Sequence, residues 1–341
     1  SHVMMRIILV GLGNVGQGLL TLLHDKAESL QQREAFSAQI VGVVTGRRGT
    51  LYHPDGLDIA ALLDAAARGT LDAYPDSPAL RRDLPALTLI QEAAAEVLVE
   101  ASPTNFTDAQ PSLDYCYTAL ETGKHVVMAN KGPIALAHDE LMRRAALVGK
   151  QVLFEGTVMA GTPSIRLARE GLRGAQLLSV RGILNGTTNY ILTQMENGLP
   201  YADALQQAQA LGYAETDPSG DVEGWDAAGK VLILSAALFG HPRRLAEIDV
   251  QGITHLTPAD IESARAAGER WKLIATLTPH AASVRPQRIP ITDPLAGVSG
   301  ASNAITYETD TLGGVTLIGR GAGRIETGYA LLTDILSLPR P

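Results

Sequence analysis

One short stretch limits what this chain can fold into: Gly11-Leu-Gly13-Asn-Val-Gly16, directly after the apolar run Arg6-Ile-Ile-Leu-Val10. An uninterrupted apolar run ending in glycine suits a strand buried on both faces. Helical spacing begins at once, with Val15, Leu19, Leu22 and Leu23 on one face of a helix over residues 14–24. Strand, glycine turn and helix in that order form a phosphate cradle. Gly11 permits the tight turn, Gly13 lets backbone approach a pyrophosphate, and Gly16 lets the helix pack closely on the strand. The helix start at Asn14 and Val15 adds free amides and the positive end of the helix dipole. The motif predicts dinucleotide binding; the alternative is a glycine-rich turn with no ligand.

The rest of the first half repeats the alternation. Ile40–Val44, Val97–Val99 and Val126–Met128 suit buried strands; Leu113–Thr122, stopped by Gly123, and Asp139–Val148 suit helices. Such alternation predicts an α/β fold with a Rossmann-type doubly wound sheet. Residues 52–85, rich in Pro, Gly and Asp, are expected to form a loop with one short helix. After Gln151–Phe154 the pattern changes to α+β: a strand at Leu177–Leu184, helices at Thr188–Asn197, Tyr201–Leu211 and Asp226–Phe239, and an irregular stretch at 280–300 with a short strand at Ile289–Ile291. A final helix is expected at Thr327–Leu336, after the glycine turn Gly319-Arg-Gly-Ala-Gly323.

The 341 residues allow two or three domains, and 45% hydrophobic against 19% charged residues suits a well-packed soluble protein. A net charge of −8 argues against a general nucleic-acid binder. No apolar run reaches membrane-spanning length. The single cysteine, Cys116, excludes an internal disulfide and a cysteine-built zinc site, and is expected inside a helix. The histidines lack metal-ligand spacing, and Trp225 and Trp271 are expected to be packing residues. A cytoplasmic location is expected; Ser1-His2-Val3 ahead of Met4 are set aside. The second strand ends at Val44-Thr45-Gly46-Arg47-Arg48, without the acid that usually holds the ribose of NAD. Guanidinium groups at Arg47 and Arg48 suit the 2′-phosphate of NADP, unless both are solvated loop charges. Ser102, in Ala101-Ser-Pro-Thr104, leaves a strand at the expected nucleotide crevice and is a further candidate contact, or a plain turn.

The stretch 212–230, GYAETDPSGDVEGWDAAGK, carries five carboxylates and one lysine. Together with the glycine turn, Ala129–Gly132, Glu155–Pro163 and Gly182–Tyr190, all in this order, it resembles homoserine dehydrogenase over nearly the whole chain. Members of that family reduce aspartate semialdehyde to homoserine with NADH or NADPH, on the route to threonine and methionine. The residue chemistry agrees. Asp226 and Lys230 stand four apart on an expected helix, so they share a face. By spacing alone such a pair is more often a surface ion pair. In an aldehyde reduction, Lys230 could supply the proton at oxygen while Asp226 orients it.

The resemblance implies further roles. Lys131 joins the catalytic centre, with a part in binding or proton transfer. Glu215 holds the substrate ammonium, with Asp221 near it, and Gly186, Thr187 and Tyr213 line the pocket. Gly323 lies near the nicotinamide, although Arg324–Thr327 departs from the family's small residues and proline there. Glu155, Val158, Ala160 and Thr162 match a monovalent-cation (Na⁺) site built mostly of carbonyls; the alternative is a plain turn. Asp217 and Glu223 are expected to be solvated. The implied layout is a dinucleotide domain over 4–135 joined by 319–341, a dimerisation region over 136–165 and 300–318, and a substrate region over 166–299. The implied assembly is a homodimer or homotetramer. Neither a preceding kinase region nor a C-terminal regulatory domain is recognisable, so weak or absent threonine feedback is expected. Two other functions fit the motifs: a different nicotinamide-dependent dehydrogenase of an amino-acid-like aldehyde, and a non-catalytic dinucleotide sensor.

Overall fold

The computed structural model describes residues 3–341; Ser1 and His2 lie outside the described residues. The chain divides into two compact units, one of residues 1–161 and 323–341 and one of residues 162–322. Residues 136–161 therefore fall in the first unit and 300–318 in the second.

The first unit holds a seven-stranded sheet made of β1 (Val3–Val10), β2 (Phe36–Val44), β3 (Thr50–Leu57), β4 (Arg81–Arg82), β5 (Val97–Glu100), β6 (His125–Met128) and β7 (Val152–Leu153). Their order is β4-β3-β2-β1-β5-β6-β7. The strands from β2 to β7 through β1 run parallel, and β3 and β4 close one edge antiparallel. Ile7, Ile8 and Leu9 are wholly buried, as two-sided coverage by helices requires. Helices α1 (Asn14–Asp25), α2 (Ala27–Glu34), α3 (Ile59–Arg68), α4 (Ala86–Glu92), α5 (Ser112–Glu121) and α6 (Lys131–Val148) fill the connections. Cys116 is buried in α5. A C-terminal helix, Arg324–Leu336, rejoins this unit on α1. Two glycines make that approach close: a Cβ on Gly18 would lie 2.0 Å from the Arg324 carbonyl oxygen, and one on Gly328 would lie 2.6 Å from Gly18 backbone.

Residues 52–85 do not form the expected loop. They contain most of β3, all of α3, and β4. Leu51 and Leu57 are buried while Pro54 and Asp55 are exposed. The ladder with β2 pairs Gly42 with Tyr52 and Ile40 with Leu57, so residues 53–56 bulge outward, where proline is tolerated. Helix α6 also begins earlier than its apolar spacing suggests, at Lys131, and bends at Ala137 (φ −142°, ψ 29°).

The second unit holds β8 (Leu177–Ile183), β9 (Asp249–Val250), β10 (Glu269–Leu277), β11 (Ala282–Pro290), β12 (Ser302–Thr309) and β13 (Gly313–Arg320), ordered β13-β12-β8-β10-β11-β9. Its helices are α7 (Ser164–Arg166), α8 (Gly186–Glu196), α9 (Tyr201–Ala210), α10 (Ser219–Val222), α11 (Trp225–Phe239) and α12 (Pro258–Ala266). The stretch expected to be irregular at 280–300 supplies all of β11, which pairs with β10 from Ala282 to Pro290. Its other edge is covered by β9 only at Ser283 and Val284, so Pro286 sits on a largely open edge. Among the described residues no helix is long and apolar enough to cross a membrane.

Candidate functional site

In the first unit, strand register brings four loops to one sheet edge. Val10 is level with Val44 and Glu100, and Glu100 with Met128. The turns after β1, β2, β5 and β6 therefore emerge together where the sheet reverses its winding, the usual nucleotide crevice. Gly11 has φ +96°, and a Cβ there would lie 2.7 Å from the backbone of Ala101 and Ser102. A Cβ on Gly16 would lie 2.2 Å from the Gly11 carbonyl oxygen, so α1 could not seat with any other residue. Gly13 is exposed and has open space around its Cβ position, which leaves its backbone approachable. Asn14 and Val15 open α1, and no side chain caps its N-terminus. These features fit a bound pyrophosphate.

Arg47 is exposed and makes no hydrogen bond or ion pair among the described residues. Arg48 donates from its backbone to Thr45 Oγ1 (2.9 Å) and from Nη1 to the Leu12 carbonyl (3.4 Å), so it folds over the glycine turn. Ser102 follows β5, and Lys131 is the first residue of α6, with Asn130 capping Gly132 N–H at 2.9 Å. Gly323 precedes the C-terminal helix with φ +135°, and a Cβ there would meet the Glu326 carboxylate at 2.5 Å. That carboxylate sits over the helix N-terminus, at the point where the sequence departs from the family pattern.

In the second unit, the acid-rich stretch folds as a loop, the short α10, a left-handed turn at Gly224 (φ +92°) and then α11. Glycine is required at 224: a Cβ would press on Val250 at 3.0 Å. The helix brings Asp226 Oδ2 within 3.0 Å of Lys230 Nζ. This is no surface pair, because Lys230 is 7% exposed. Its ammonium also donates to the Leu184 carbonyl at 2.5 Å, at the end of β8. Asn185, 5% exposed, ties the cluster together. Its Nδ2 donates to Asp221 Oδ1 (2.8 Å) and Asp226 Oδ2 (3.0 Å), while its Oδ1 accepts from Thr188 N–H (2.8 Å) and caps α8. Asn185 is a member of this cluster that sequence reasoning did not single out, although asparagine just ahead of Gly-Thr-Thr is an N-cap signal.

Gly186 starts α8 with no room for a side chain, since a Cβ would lie 2.7 Å from the Ala301 carbonyl oxygen. Thr187 Oγ1 donates to the Tyr213 carbonyl (2.5 Å), and the Tyr213 ring tilts against Tyr190 at 5.1 Å between centroids. Glu215 stands apart from the cluster. Its carboxylate is exposed and unpaired among the described residues, and only its carbonyl is engaged, by Gln209 Nε2 (3.0 Å). Asp217 and Glu223 are exposed; Ser219 donates to the Asp217 carboxyl and holds it below the usual range. Trp271 donates from Nε1 to the Asp260 carbonyl (3.0 Å), but Trp225 is 44% exposed and so is not the packing residue expected.

Glu155, Val158 and Ala160 are buried in the first unit, Ala160 with φ +48°, and Thr162 opens the second. Glu155 N–H donates to Asp334 Oδ2 (3.0 Å), and Thr162 Oγ1 donates to the Arg320 carbonyl (2.8 Å). Among the described residues no three His, Cys, Asp or Glu side chains group as a metal centre.

A doubly wound dinucleotide unit joined to a unit with a buried lysine–aspartate pair defines an NAD(P)-dependent oxidoreductase. The family model for homoserine dehydrogenase matches residues 163–336, and that for its NAD-binding domain matches residues 11–155. The NAD(+)-dependent homoserine dehydrogenase of Pseudomonas canavaninivorans is 41% identical, over 98% of this chain and 96% of that protein. The crystal structure of a putative homoserine dehydrogenase from Archaeoglobus fulgidus is 36% identical with a TM-score of 0.88, covering 98% of both chains. A hyperthermophilic archaeal homoserine dehydrogenase in complex with NADPH is 30% identical with a TM-score of 0.83, covering 99% of both chains. The chain belongs to the homoserine dehydrogenase family.

Proposed function

We propose that the protein catalyses the reversible NAD(P)H-dependent reduction of L-aspartate 4-semialdehyde to L-homoserine, a step toward threonine and methionine. The observation that carries this reading is the buried Lys230–Asp226 pair, held by Asn185 at the mouth of α8. The nicotinamide, when bound, supplies the hydride. Lys230 holds a proton for the carbonyl oxygen, with Asp226 fixing the ammonium's direction. In the reverse direction the same pair receives the alcohol proton. Lys131, at the head of α6, takes a second part in binding or proton transfer.

The substrate's charges call for the remaining groups. Glu215 offers an exposed carboxylate to the α-ammonium, and Asp221, held by Asn185, is the second acid assigned to it. The free amides at Gly186 and Thr187 suit the substrate carboxylate. Tyr213 closes the pocket. The cofactor is cradled by Gly11, Gly13, Asn14, Val15 and Gly16, with Ser102 and Gly323 as further contacts. NADP is preferred, because Arg47 is unpaired beside Arg48 and no acid follows β2 to hold an unphosphorylated ribose. A monovalent cation such as Na⁺ on carbonyls of Glu155, Val158, Ala160 and Thr162 would be structural, not a Lewis acid. A homodimer or homotetramer in the cytoplasm completes the reading, with residues 136–165 and 300–318 forming the dimer contact.

The test is oxidation of NADPH by the purified protein given a panel of aldehydes. Turnover of aspartate semialdehyde above all others is expected. Faster turnover of an aldehyde lacking the α-ammonium would overturn the substrate assignment.

A further inference from the structure

The dinucleotide unit holds a carboxyl group that the proposed chemistry does not use. Glu100, the last residue of β5, is 0% exposed and lies where the chain turns into the crevice loop. Its Oε1 accepts from Ser102 N–H (2.8 Å) and from the Ser102 hydroxyl. Its Oε2 has no hydrogen-bond partner, and Glu100 forms no ion pair among the described residues. The groups facing it are Ser112, Tyr115 and Cys116 of α5, Asn130 at the head of α6, and Ser102 itself. None of these is a cation. A buried carboxylate without one is costly, so a packing role alone would be better served by a neutral side chain.

The bonds around Glu100 all bear on the loop 101–105. Asn130 Nδ2 donates to Ser102 Oγ (3.3 Å) and to the Pro103 carbonyl (3.2 Å), and Lys131 N–H donates to Thr104 Oγ1 (3.2 Å). On the other side, the backbone of Ala101 and Ser102 lies against Gly11 so closely that a Cβ there would be 2.7 Å away. The loop is thus pinned between the glycine turn and α6.

We propose that Glu100 is a positioning residue for the dinucleotide, whose carboxylate fixes the Ser102 N–H and hydroxyl so that Ser102 presents an acceptor lone pair to the cofactor. The one hydroxyl proton of Ser102 points at Glu100, so the ligand that suits it is a donor, a ribose hydroxyl or carboxamide N–H. This rests on the reading of Ser102 as a cofactor contact, and not on the identity of the aldehyde. The arrangement is sensitive to pH. Burial raises the Glu100 carboxyl above the usual range, against the opposing pull of the hydrogen bonds from Ser102. Below its folded pKa the group is protonated and loses its hold as a charged acceptor; above it, the hold is complete.

The sign for stability is the reverse. A carboxyl whose folded pKa is raised binds more protons folded than unfolded, so stability falls as pH rises from the unfolded toward the folded value. Glu100→Gln removes that cost. Because Gln keeps the shape of the side chain, weaker dinucleotide binding in a variant no less stable than the parent reports lost positioning and not a damaged fold.

The experiment measures NADP⁺ binding by calorimetry, without aldehyde, for the parent, Glu100→Gln, Ser102→Ala and the double variant, across the whole pH range in which the parent stays folded. The expected result is roughly 3–10-fold weaker binding by Glu100→Gln at the upper pH, shrinking toward parity at the lower, with no loss of thermal stability. Ser102→Ala should show the same pH-dependent deficit, and the double variant should be no worse than either. Equal affinities, a deficit constant across pH, or a double variant that multiplies the two losses would each overturn the proposal. Should Glu100→Gln fail to fold, a Ser102→Ala deficit that does not vary with pH overturns it alone. Because no aldehyde is present, failure here is distinct from failure of the proposed reaction.

Discussion

Asn185→Ala removes a side chain that joins Asp221 and Asp226 to the start of α8, and its cost can be worked from its bonds. Loss of the cap on Thr188 N–H costs about 1 kcal/mol. Each hydrogen bond to a carboxylate is worth roughly 1.5–3 kcal/mol when fully buried, which we discount to about 1 kcal/mol here because solvent reaches both acids. Asp226 is 23% exposed at its side chain and keeps Lys230 as a partner. The sum is about 3 kcal/mol, or a fall of roughly 6–12 °C in Tm for a unit of this size. Turnover should fall with it, because Asp226 loses the bond that fixes its angle toward Lys230. Asn185→Asp is the informative control. Aspartate caps a helix as well as asparagine does, but it places a third carboxylate against Asp221 and Asp226, so turnover should fall at least as far while the cap survives. Scanning calorimetry and steady-state kinetics on both variants make the measurement. An Asn185→Ala protein that melts within about 1 °C of the parent and keeps its kcat would refute the reasoning.

Lys230→Ala should lower kcat by roughly 10²–10⁴-fold while NADP⁺ affinity stays near that of the parent; unchanged turnover in a coupled assay removes the lysine from proton transfer. Glu215→Ala should raise KM for aspartate semialdehyde far more than it lowers kcat, and an unaltered KM sinks the ammonium assignment. Gly16→Ala should distort the turn at Gly11, costing about 1–3 kcal/mol of stability and most of the dinucleotide affinity, both readable by ligand-dependent melting. The ratio of kcat/KM for NADPH over NADH should exceed one and fall below it in Arg47→Glu; a parent ratio below one overturns the cofactor preference.

Local chemistry left the clearest marks in the sequence. The strand before Gly11 and the helix after it are legible because glycine spacing, apolar runs and helical period agree from Arg6 to His24. The Asp226–Lys230 face was legible from spacing, but its burial was not, since spacing does not say which side of a helix is covered. Composition misled at two places. Pro54 and Pro286 suggested loops, yet both lie in strands, one at a bulge and one on a sparsely covered edge. Whether a proline interrupts a strand depends on which neighbour its missing N–H would have faced, and that is a property of the assembled sheet. Asn185 escaped for a similar reason: its cap was readable, but its bonds to residues 221 and 226 cross thirty-six and forty-one positions of chain.

The return of the last helix to α1 has a consequence for biogenesis. The unit that binds the dinucleotide is interrupted in sequence by the whole of the other one. A ribosome delivering the chain from its amino end exposes the α1 surface around Gly18 long before residues 324–336 exist to cover it. The inserted unit has all its strands by residue 320 and can condense first. The nucleotide unit must wait until residues 324–336 have been made, so a nascent chain paused before that point carries an open apolar flank of the kind chaperones hold.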